Sequence, residues 1–187
     1  GYGDVVIGGY LKAAHAEAVF NGPERTFTVQ VHSDMSPLEG LAQQSIDGAL
    51  IISAKKDDEF AFLGCAIQVK LLGLIDNHGE MAIGIRVKDP KTRGGLVSQY
   101  FQYAPDEYMQ QRFSGVYINT ATHVGIPRDN PVGFDLYIAS AKIWAETGFQ
   151  ASLLLNLEEG AFRIKFGGKF DAGAEACVAK IACISVN

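Results

Sequence analysis

Four histidines, His15, His32, His78 and His123, are the most versatile chemical groups in this chain. An imidazole ligates metals and moves protons near neutral pH. No two of the four stand at metal-ligand spacing on one element, so no zinc site is expected. His32 falls with Asp34 on the wet side of an alternating stretch, and His123 is the histidine a fold can bring to them. Asp76, Asn77 and Glu80 offer oxygens of the kind calcium accepts. In the run Asp76-Asn77-His78-Gly79-Glu80 the same residues read as a hairpin loop. Lys91-Thr92-Arg93-Gly94-Gly95 sets two cations beside flexible amides, the ingredients of an anion cradle, without P-loop spacing.

Tyr100, Phe101, Tyr103, Tyr108 and Phe113 form an aromatic stretch. Such a stretch makes a platform for a sugar, a peptide or a partner subunit, and it also makes ordinary core. The residues expected to bind are therefore Tyr100, Tyr103, Tyr108, Lys91 and Arg93. Catalytic signals are missing: there is no Gly-x-Ser-x-Gly, no cysteine and histidine in a nucleophile context, and carboxylates pair only in expected turns. No catalytic residue, metal site or cofactor is expected, and the reading leans away from an enzyme. The three cysteines read as buried free thiols, because Cys177 and Cys183 on one continuous strand lie about 20 Å apart.

The elements that must position these groups are mostly strands. From Ala161 to Phe170 the even positions are Phe162, Ile164, Phe166, Gly168 and Phe170, and the odd ones include Arg163, Lys165 and Lys169. A period of two is a strand with one dry and one wet face. Thr26–Asp34 alternates in the same way, with Phe27, Val29 and Val31 opposite Thr28, Gln30 and His32. Further strands are expected at 4–11, 49–56, 60–75, 81–88, 96–103, 116–124, 134–145, 151–157 and 174–186, the last four strands of the chain joined by turns at Thr147-Gly148, Glu159-Gly160 and Asp171-Ala172-Gly173. Residues 11–20 fit helix or strand, with strand favoured. Pro23 disfavours a two-residue turn after them and leaves a four-residue loop through Glu24. Ser36-Pro37-Leu38-Glu39 reads as a capping box opening a short helix, and Pro105-Asp106-Glu107 opens one or two helical turns. The fold class is all-β: one domain over residues 1–187, a β-sandwich or jelly roll of about ten mostly antiparallel strands with one or two short helices.

Composition narrows the function. In 187 residues, 48% are hydrophobic and 20% charged, and the net charge is -5, so nucleic acid is not an expected partner. No run of eighteen apolar residues marks a transmembrane helix, so no transmembrane segment is expected. No signal peptide is expected in these residues. The first functional reading is a non-enzymatic, self-assembling subunit of a virion, capsid or filament, whose partners are copies of itself. It rests on strands rich in small apolar residues, most visibly 174–186, and on low charge. The second is a module that binds a carbohydrate or small ligand through the aromatic stretch and the loops after Lys88 and Val124. The third is an enzyme whose pocket brings His32 or His123 to an acid. The sequence assigns no compartment.

Overall fold

The computed structural model describes residues 2–4, 11–38, 41–93, 95–109, 111–126, 128, 131–136, 139–178 and 182–186. Its strands are β1 (Tyr2–Asp4), β2 (Leu11–Asn21), β3 (Thr26–Leu38), β4 (Ala42–Lys55), β5 (Asp58–Leu71), β6 (Ile75–Lys88), β7 (Arg112–Ile126), β8 (Val132–Asp135), β9 (Ala139–Asn156), β10 (Ala161–Val178) and β11 (Ala182–Val186). The all-β expectation holds. The strands lie in one sheet in the order β1-β2-β3-β4-β5-β6-β7-β9-β10-β11, with β8 paired to β9, and every pairing is antiparallel. This is a meander, and neither a second facing sheet nor a Greek-key crossing occurs among these pairings.

Strand 11–20 is confirmed, and the four-residue loop after it is the observed one, since Asn21 pairs with Thr26. The expected strand at 4–11 falls largely outside the described residues. Several expected breaks are absent. Residues 76–80 form no hairpin loop; they lie inside β6, and the chain turns instead at Leu72-Gly73-Leu74. Leu72 and Gly73 both have positive φ there (55° and 66°), the backbone of a tight hairpin turn. Ser36-Pro37-Leu38 opens no helix, because these residues finish β3. The expected turns at Thr147-Gly148 and Asp171-Gly173 are interior to the eighteen-residue strands β9 and β10. One physical cause accounts for most of this: polar residues on one face of a strand mimic turn composition when read along the chain.

The register sorts the side chains into two faces. On β5, Ala61, Leu63, Cys65, Ile67, Val69 and Leu71 share one face, while Phe60, Phe62, Gly64, Ala66, Gln68 and Lys70 share the other. Following the pairs across the sheet, the first face collects Phe27, Val29, Val31, Ile46, Leu50, Ile52, Met81, Ile83, Ile85, Val116, Ile118, Phe149, Leu153, Leu155, Phe162, Ile164, Phe166 and Phe170. The second collects Glu17, His32, Asp34, Asp47, Lys70, Asp76, His78, Glu80, His123, Glu146, Arg163, Lys165, Lys169, Asp171 and Glu175. Within 27–35, 42–54, 61–71, 75–85, 114–124, 141–155 and 162–178, no charged residue stands on the first face.

The buried core lies on the charged face, at the end nearest the turns at 56–57 and 157–160. There the chain between β6 and β7 folds back onto the sheet. It holds a four-residue helix, α1 (Gly95–Ser98), and two single 3-10 turns, at Gln99–Phe101 and Asp106–Tyr108. Residues 96–103 are therefore not the expected strand, although a helical turn after Pro105 is present. Val97, Tyr100, Phe101, Ala104 and Met109 pack on Phe60, Phe62, Ala82, Phe113, Tyr117 and Leu154. The fit is close: a Cβ on Gly64 would lie 2.4 Å from the Tyr100 ring, so only glycine accepts the aromatic there.

Candidate functional site: the charged face and the segment folded onto it

Five side chains pin the folded-back segment: those of Arg93, Lys91, Glu80, Asn156 and Arg163. Arg93 donates to both oxygens of Asp58 (3.0 and 2.5 Å) and lies 4.1 Å over the Phe60 ring. The guanidinium holds the Asp58 carboxyl below the usual carboxylate range. Lys91 donates to the Ala104 carbonyl (2.7 Å) and to Asp106 (2.5 Å). The Tyr103 amide donates to Glu80 Oε1 (3.2 Å), which also accepts the Tyr117 hydroxyl (2.6 Å). The Asn156 amide donates to the carbonyls of Tyr108 and Arg112 (3.0 and 2.8 Å). Arg163 of β10 donates to Glu107 (2.5 Å) and sits over Tyr108.

The five residues expected to bind thus have different positions. Lys91 and Arg93 are spent on holding the segment. Tyr100 is 1% exposed, and burial pushes its phenol up to about 12. Tyr108 is half-buried under Arg163. Tyr103 alone of the three tyrosines stands free, at 55% exposure, with its ring edge-on to His78 (5.1 Å between centroids). The expected meeting of His32 and Asp34 occurs (3.0 Å), and Asp47 completes it at 2.6 Å on the other ring nitrogen. His123 sits elsewhere, opposite Asp76 on β6. Asp76 and Glu80 share the charged face while Asn77 points to the other, so the three do not converge as a calcium loop. Sequence reasoning missed Asn156, and it took Glu80 for a calcium-type oxygen on a loop rather than a buried anchor. Each is a buried polar residue at an inward position of an alternating strand, and that phase was the available signal.

Beyond the segment, the charged face is open. One cavity of about 720 Å³ is lined by Lys70, Asp76, His123, Arg128, Glu146, Lys169 and Asp171, among others. A second, of about 520 Å³, includes Gln68, His78, Tyr103, His123, Gln150, Lys165 and Lys169. Most of these charges are already matched: Lys169 with Glu146 (2.7 Å), and Lys70 with Asp76 (3.6 Å). At the rim of the folded segment, His78 Nε2, Glu80 Oε2 and Asn119 Nδ2 are buried without a hydrogen-bond partner, the first two 3.7 Å apart.

The cysteines differ from expectation. Cys177 and Cys183 form a disulfide, because β10 and β11 are separate strands of a hairpin that sets the two residues directly opposite each other. Cys65 remains free. Among the described residues, the one grouping of three potential metal ligands is Glu175 with these two cysteines, whose sulfurs are bonded to each other. No protein-family model matches this chain, and neither a curated protein nor a solved structure is found to be similar to it.

Proposed function

We propose that this sheet is part of the wall of a membrane-spanning β-barrel, with its uncharged face toward lipid and its charged face toward an aqueous lumen narrowed by the segment between β6 and β7. The carrying observation is the partition of charge between the two faces. The apolar face presents Phe162, Phe166 and Phe170 at 67, 72 and 77% exposure, far more grease than a water-facing sheet tolerates. Alternation of apolar-out and polar-in on antiparallel strands is the pattern that lipid selects. Its height also fits. The stretch Ala61–Leu71, whose apolar face carries no charge, is about 33 Å long at ~3.3 Å per residue, and at a tilt of ~45° it rises about 23 Å, close to the ~25 Å apolar band of such barrels. No helix among the described residues is long and apolar enough to cross a membrane, and strands need none. In lipid the outer edges of the sheet must be paired, so the proposal requires closure by these or further strands. The Cys177–Cys183 bond suits a compartment outside the reducing cytosol.

The test uses single-cysteine probes in a Cys65→Ser background. A fluorophore at Phe166→Cys is expected to be quenched by brominated lipid in reconstituted vesicles, and one at Lys165→Cys by aqueous iodide. The same vesicles are expected to show conductance steps in a planar bilayer. Quenching of both positions by iodide alone, in protein that stays dispersed without detergent, would end this reading. The second reading is a self-assembling subunit, favoured by the same apolar face. Large regular particles formed in water without lipid support it instead.

A further inference from the structure

We infer that the cavity of about 520 Å³ beside Tyr103 is a binding site for a small organic anion with a flat apolar body, such as an aromatic carboxylate. The inference rests on the lumen reading above and names the solute it favours. Five observations converge. Lys165 lines the cavity, and among the described residues no ion pair or hydrogen bond engages its ammonium group. The second cation, Lys169, is occupied by Glu146 at 2.7 Å. The carboxylate on the lining, Asp76, lies near Lys70 at 3.6 Å and accepts from Gln68 at 3.4 Å. The unmatched charge of the cavity is therefore positive.

Shape supplies the rest. Tyr103 stands 55% exposed and is steadied by its edge contact with His78, so one aromatic ring is presented at low entropic cost. Gly167 stands two residues from both Lys165 and Lys169 on the charged face, where a Cβ would meet nothing within 4 Å. Glycine there is not demanded by packing; it leaves open floor that a side chain would fill. A flat body lying against Tyr103 with its carboxylate on Lys165 uses each of these features. A neutral alcohol leaves the ammonium unmatched, and acetate leaves the ring uncovered.

Titration calorimetry of the detergent-solubilised protein tests this with benzoate, benzyl alcohol and acetate. Benzoate is expected to bind about tenfold or more tightly than either of the others. Lys165→Met is expected to weaken benzoate about tenfold and leave benzyl alcohol unchanged. Tyr103→Ala is expected to weaken both ring compounds. Gly167→Leu, placed in open space and so tolerated by the sheet, is expected to abolish binding. Equal affinity for benzoate and benzyl alcohol, or benzoate binding indifferent to Lys165→Met, overturns the inference. Binding is read in micelles and conductance in bilayers. Loss of the first with the second intact removes only this inference; the reverse removes only the lumen reading.

Discussion

Replacing Phe166 by serine separates a lipid-facing surface from a water-facing one. The side chain lies one third of the way along β10 on the uncharged face and is 72% exposed. A phenylalanine offers about 200 Å², so about 140 Å² is free to meet whatever covers this face. At ~25 cal/mol per Å², removing that area from an apolar environment costs about 3.5 kcal/mol. In water the same change has no such cost, because the area was never buried, and exposed substitutions usually fall within about 0.5 kcal/mol. The assay is reversible urea unfolding in lipid vesicles, followed by the fluorescence of Trp144. Phe166→Ser is expected to lose about 3 kcal/mol there, while Lys142→Ser on the charged face loses less than ~0.5 kcal/mol. Equal, small effects for both positions would refute the assignment of faces to lipid and lumen.

Other expectations follow from the segment and the termini of the sheet. Gly64→Ala drives a methyl to 2.4 Å from the Tyr100 ring, and overpacking of this kind costs about 1–3 kcal/mol; hydrogen exchange at 95–109 is expected to accelerate more than exchange in β9. The Arg93–Asp58 pair makes the anchor acid-labile. Asp58, at a strand end beside the turn, has its carboxyl lowered in the folded state from its ordinary value of 3.8 by the hydrogen-bonded Arg93 guanidinium, so its contribution is present above that value and lost as pH falls through the lower, folded one. Asp58→Asn is expected to remove that acid-dependent loosening of 89–95 as well as about 1 kcal/mol at neutral pH. Thiol titration of the native protein is expected to find at most Cys65, and all three cysteines after reduction and unfolding. Reduction alone is expected to speed exchange in β11 while leaving the midpoint of the whole sheet nearly unchanged, since the bond ties only the last hairpin.

Strands were legible wherever a face was uniformly apolar over many residues, as in Thr26–Asp34 and Ala161–Phe170. They were misread where the opposite face carried polar or small residues in close succession. Asp76, His78 and Glu80 look like a loop because Asn77 and Gly79 separate them; in space the two acids and the imidazole stand in line on the charged face. Thr147-Gly148 and Asp171-Ala172-Gly173 have the composition of turns for the same reason, yet lie inside strands. The aromatic run 96–103 has strand composition, yet tertiary packing of Tyr100 and Phe101 against the sheet overrides that propensity. The disulfide was hidden by a mistaken strand boundary: once the chain turns after Val178, residues six apart become neighbours. Of the expected binding residues, Tyr103 alone remains exposed in the cavity, and nothing local in the sequence distinguishes it from Tyr100, three residues earlier.

The relation of β7 and β8 has a practical consequence. Both pair with the same edge of β9, β7 along Ala145–Asn156 and β8 along Ser140–Ile143. They are two pieces of one interrupted line, each anchored independently to a common neighbour. Residues between them can therefore be lengthened without transmitting a frame slip to either piece. A reporter peptide spliced at that interruption is expected to be displayed with the sheet intact, whereas the same graft inside β9 would sever the track that aligns both.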